Sequence, residues 1–207
     1  MTFSIKHISG YLFILIIFVG LIRFWPMKGE VNYGPGVFAP EEPHQVNISN
    51  APMFMHKDYF ITPLADFEAN ARVLSRKNYR WGRESDISPT DLTLGWGRMS
   101  DEAVYGQINI RQNNRYYYGR VEKFPIPRRE IETQSANMHM IPASKSVQRA
   151  IKSVRKGDIV SFSGKLVRAE TADGWQWSSS LTRTDTGYGA CELVYVKEFE
   201  VLKPEGI

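Results

Sequence analysis

Cysteine is nearly absent from this 207-residue chain. With Cys191 alone, no internal disulfide can form and one chain cannot assemble a cysteine-based zinc site. Histidine is scarce too: His7, His44, His56 and His139 are widely separated, and none is followed three or four residues later by a histidine or a carboxylate. No two ligands are thereby set on one helical face, and the sequence gives no reason to expect a metal or another cofactor. Blocks of like charge are also missing. The 22 acidic residues are interspersed among 26 basic ones, so the net charge of +4 is a mild bias and not a nucleic-acid-binding tail.

What is present is a long apolar run. From Ile8 to Trp25 there is no acidic residue, and Arg23 near the far end is the single cation. As a helix these positions would cover roughly 27 Å, the thickness of a thin hydrocarbon core. Tyr11 and Trp25 stand at the two interfaces, Arg23 can snorkel, and Pro26 ends the helix. The bulky residues after the run offer no small-residue cleavage site, which favours a retained anchor over a cleaved signal peptide. The sequence thus predicts an N-terminal tail at 1–7, a transmembrane anchor at 8–25, a proline- and glycine-rich tether at 26–56 and a β-rich head at 57–207. The lipid bilayer is the partner expected for 8–25. The short basic tail places the head outside the cytoplasm, periplasmic in a Gram-negative cell.

Within the head, Phe67, Ala69, Ala71 and Val73 alternate with polar residues, which is the period of a half-buried strand. Strands are expected at 108–110 and 116–121 around an Asn113-Asn114 turn, with short helices after Ser100 and Pro127. Ser144 caps a helix in which Val147, Ala150, Ile151 and Val154 share a face. Further on, Val160, Phe162, Gly164 and Leu166 form one strand face, and Asp173-Gly174 turns the chain. Trp175 and Trp177 then fall on the core side of the returning strand, and a last strand spans 190–201. The expected fold class is α+β: a transmembrane helix, then an antiparallel curled sheet or OB-like small barrel with a few short helices.

Motif chemistry is thin. Asp185-Thr186-Gly187 is the aspartic-protease triplet, but it occurs once and lacks the apolar strand before it. Gly157-Asp158-Ile159-Val160 resembles a signal-peptidase stretch without that family's Ser-Met-Pro nucleophile. Cys191 with His139 would supply a thiol nucleophile and its base, although Cys191 falls on the apolar face of its strand. Arg111, Arg115, Tyr116, Tyr117, Tyr118 and Arg120 interleave cations with rings as single-strand binders do. Nucleic acid is still not the expected partner, because one face of that strand is needed for the core. The stretch Ser135 to Pro142 reads as a polar-apolar loop whose Asn137 and His139 could orient a ligand, and the turn from Arg183 to Gly189 adds Arg183 and Asp185.

The runs 61–65, 91–97, 135–139 and 179–187 with 190–194 resemble those of bacterial single-pass membrane-anchored proteins to which no activity is assigned. The resemblance implies an envelope protein with a protein partner there, and carries over no catalytic residue. Two functions stand open. One is a non-enzymatic binding or assembly module, with Asn137, His139, Arg183 and Asp185 as its binding residues. The other is a hydrolase built around Asn137, His139, Asp185 and Cys191, which requires those side chains to converge in one pocket.

Overall fold

The computed structural model describes residues 29–182, 185, 187 and 189–203. Among them the strands are β1 (His44–Asn47), β2 (Phe54–His56), β3 (Tyr59–Asn78), β4 (Thr90–Gly95), β5 (Asn109–Asn113), β6 (Tyr116–Arg120), β7 (Ser135–Pro142), β8 (Ile159–Glu170), β9 (Gln176–Ser178) and β10 (Glu192–Leu202). The α-helices are α1 (Arg83–Ile87), α2 (Glu102–Tyr105), α3 (Arg128–Thr133) and α4 (Lys145–Ser153), with a 3-10 turn at Gly97–Ser100.

β3 is the spine. Its bulges between Pro63 and Ala65 and between Val73 and Ser75 let one long strand curl, so that its first part pairs with β8 and its last part with β4. β4 pairs with β7, β7 with β10 and β10 with β8, which returns the path of hydrogen-bonded strands to β3. Inside this ring lies the main core: Phe67, Ala69, Ala71 and Val73 from β3, Leu92 and Leu94 from β4, Met138 and Met140 from β7, and Phe162 and Val194 facing them. Helix α4 adds Val147 and Ile151 to the same core, its first turn held by the Ser144 hydroxyl, which accepts from the Val147 amide at 3.2 Å. The strands pass closely enough at Gly164 that a Cβ there would lie 2.1 Å from the Tyr195 carbonyl oxygen.

These observations correct the expected fold class. The sheet is mixed and not antiparallel, because β7 and β10 run parallel, with residues Glu192 to Val196 opposite Met138 to Pro142. A parallel pair needs a long crossover, here the chain through α4, β8 and β9. The single-pass membrane placement with an extracytoplasmic head is corrected as well. Among the described residues no helix is long and apolar enough to cross a membrane, and the expected anchor, 8–25, lies outside them.

Two expected irregular segments are ordered. The stretch read as a loop, Ser135 to Pro142, is β7, paired on both sides at the middle of the sheet. Residues 29–43, read as tether, lie along the ring: Val31 N donates to Lys156 O at 2.8 Å, and Ala39 N to the Ser100 hydroxyl at 3.1 Å. Tyr33 and Phe38 join Tyr105 around the guanidinium of the fully buried Arg72, each ring centre 5.2 to 5.5 Å away. Cation–π contacts and loop hydrogen bonds leave no hydrophobic period in the sequence, which is why this order was not visible there.

Candidate functional site

Strand alternation sends Met138 and Met140 into the ring and leaves Asn137 and His139 on the outer face of β7. The register sets Asp91 beside His139 and Thr93 beside Asn137. On the other side of β7, Leu193 of β10 stands opposite His139. This outer face is covered, since Asp91, Thr93, Asn137 and His139 are all buried. A carboxylate in such a place must be compensated.

The compensation comes from the β5–β6 hairpin. Asn113 pairs with Tyr116, so the loop is Asn114-Arg115, one residue later than expected, with φ of 48° and 69°. Two left-handed residues make the turn that suits a twisted hairpin, although arginine is strained there by about 1 kcal/mol. From that turn Arg115 Nη1 donates to Asp91 Oδ1 at 2.8 Å and to the Ser88 carbonyl at 2.9 Å. Its guanidinium lies 3.8 Å from the centre of the Tyr79 ring. Burial, and after it the Asp91 carboxylate, push the Tyr79 phenol up to about 12. His139 Nδ1 is 3.0 Å from the same Asp91 oxygen but is not aligned as a hydrogen bond, and the imidazole lies 4.6 Å from the Trp177 ring centre.

Asn137 fastens the hairpin to the sheet. Its Nδ2 donates to the Arg115 carbonyl at 2.8 Å, and its Oδ1 accepts from Gln112 Nε2 at 2.7 Å. The Cys191 sulfur is 4.0 Å from Asn137 Nδ2. Burial, followed by the charge of Glu192, pushes the Cys191 thiol up to about 12. A thiol so far from ionisation is a poor nucleophile. Asp185 is half-buried and accepts from the Ser180 hydroxyl. Arg183 lies outside the described residues.

Two clefts flank this array. The first, about 520 Å³, is walled by Arg115, Tyr116, His139, Trp175 and Trp177, with Glu84 at its rim. The second, about 780 Å³, runs between β6 and α3 and is lined by Tyr118, Phe124 and Ile131, reaching Asn137 and Asp185. Cys191 lines both. The four residues of the hydrolase reading are thus divided: His139 faces the first cleft, while Asn137 and Asp185 face the second. Sequence reasoning missed Asp91, Arg115 as its partner, and Tyr79. The available signal was Asp91 and Thr93 alternating with Leu92 and Leu94, polar residues at strand period between two apolar ones.

Among the described residues, no group of three or more His, Cys, Asp or Glu is placed to hold a metal ion. Comparison with protein-family models, curated proteins and solved structures returns no match in any of the three, and so identifies no family or source.

Proposed function

We propose that the protein is a non-catalytic binding module and that its recognition site is the first cleft, between β9, the Asn114-Arg115 turn and β7. What carries this reading is the pairing of the reactive groups at that cleft. Asp91 is matched by Arg115, the His139 imidazole lies against both Asp91 and Trp177, and the Cys191 thiol is held protonated. Such a wall is rigid and shaped, as a recognition surface needs to be, but it offers no activated nucleophile with a base in reach. The aromatic side chains Trp175, Trp177 and Tyr116 line the cleft and offer apolar surface that a small ligand would bury.

The test is complementation of a deletion strain. Cys191→Ala is expected to restore the cellular role, while Trp177→Ala, still folded by circular dichroism, is expected to lose it. Loss of the role in a folded Cys191→Ala protein would overturn the binding reading in favour of a thiol enzyme.

A further inference from the structure

Resting on the reading of the first cleft as a binding site, we propose that its ligand is a neutral saccharide, a hydroxylated ring without phosphate or other charge. The two indoles at the cleft are each bracketed by an arginine. Arg83 lies 5.8 Å from the Trp175 ring centre and Arg115 lies 5.5 Å from that of Trp177. Arrangements of this kind suit nucleotides when the cations are free. Here neither is free. Arg83 closes its fork on Asp173 with hydrogen bonds of 3.2 and 2.7 Å, and Arg115 is committed to Asp91 and to the Ser88 carbonyl. Glu84 adds a further negative charge at the rim. Among the described residues lining the cleft, a phosphate would meet the Glu84 carboxylate and no unmatched cation, which removes the electrostatic term on which nucleic-acid affinity rests.

A wholly apolar ligand fits no better. Asn114 is exposed beside the indoles and Glu84 lines the same cleft, and covering them with hydrocarbon would strip their water without replacing it. A sugar ring satisfies both halves of the lining. Its C–H face packs on an indole, and its hydroxyls, each donor and acceptor, meet the Asn114 amide and the Glu84 carboxylate. The Trp175 and Trp177 rings stand 6.3 Å apart at 66°, so they form a corner and not a flat platform. A corner closes around one ring, and a cleft of about 520 Å³ is of the size that holds a small ligand.

The experiment uses the full chain on an array of neutral glycans, with calorimetry on the best binder and with inorganic phosphate and a short oligothymidylate as charged probes. A neutral glycan is expected to bind with an affinity that scarcely changes between about 50 and 500 mM salt. Glu84→Ala and Trp177→Ala are each expected to weaken it about tenfold or more, by losing hydrogen-bonded and stacked contacts respectively. Trp81→Ala is the control, since Trp81 is 90% exposed and does not line the cleft. The proposal is overturned if no neutral glycan binds, if only the oligothymidylate or phosphate binds, or if both cleft variants bind the glycan as well as the parent. Any of these results leaves the complementation test of Trp177→Ala standing, so the failure of the saccharide and the failure of the cleft remain separate findings.

Discussion

Arg115 reaches Asp91 from a strained left-handed turn residue on a hairpin that makes no ladder with the main sheet, yet their 2.8 Å contact neutralises the carboxylate beside the central strand β7. The pair ties the hairpin to the ring through charge, and Asn137 ties it through an amide. Removing one partner strands the other. Arg115→Ala is expected to cost about 3 to 5 kcal/mol in urea unfolding, because Asp91 is left buried and uncompensated. Asp91→Leu combined with Arg115→Met should recover much of that loss. A loss below about 1 kcal/mol for the single variant would show that water reaches Asp91 in solution.

Gly157 has φ of 91°, and a Cβ built on it would lie 1.8 Å from the Val31 carbonyl oxygen. Gly174 has a similar φ of 87° with nothing within 4 Å. Both alanine variants carry the left-handed penalty of about 1 kcal/mol. Gly157→Ala is expected to lose more than that and to speed hydrogen exchange at the Val31 amide, because the segment 29–43 must lift. Equal losses for the two variants would mean that the segment does not lie on Gly157 in solution.

The Cys191 thiol gives a pH signature. Its folded value is raised, so the native state keeps the proton while the unfolded chain releases it above about pH 9. The unfolded state then binds fewer protons, and stability falls as pH rises from about 9 towards the folded value. The expected result is a steeper alkaline loss of stability in the parent than in Cys191→Ala, together with a thiol that iodoacetamide modifies more slowly in the folded protein than after unfolding. Parallel alkaline curves would contradict the burial.

Trp96 is fully buried at the main core, whereas Trp177 is half-buried at a cleft wall. Trp96→Ala is expected to cost about 3 to 5 kcal/mol and Trp177→Ala visibly less, as thermal melts of the two would report. The reverse order would restore Trp177 to the centre of the core, where the alternation of the sequence placed it.

That misplacement shows what the sequence could and could not reveal. The alternation of Phe67 to Val73, the cap at Ser144 and the face of Val160 to Leu166 could be read directly, because each is a local pattern repeated over several residues. β7 was not readable as a strand. Its inner methionines face the ring and its outer Asn137 and His139 are buried under a hairpin, so polar and apolar side chains are both inside and the usual contrast disappears. Asn137 and His139 could be singled out for their chemistry. That Asn137 braces a turn and His139 shares a carboxylate with Arg115 depends on Asp91, 46 and 48 residues earlier in the sequence, and on a hairpin between them.

The parallel pairing of β7 with β10 also makes β10 the strand that closes the ring. β10 is the last described strand, and it is the piece that lies between β7 and β8. Until it docks, both neighbours present unpaired amides and carbonyls, and the apolar residues Met138, Met140, Phe162 and Leu166 have no lid across that gap. Between the emergence of β8 and the docking of β10, these two strand edges are open to other chains. Loss of β10 would therefore do more than lower stability: it would turn a closed ring into a template for aggregation.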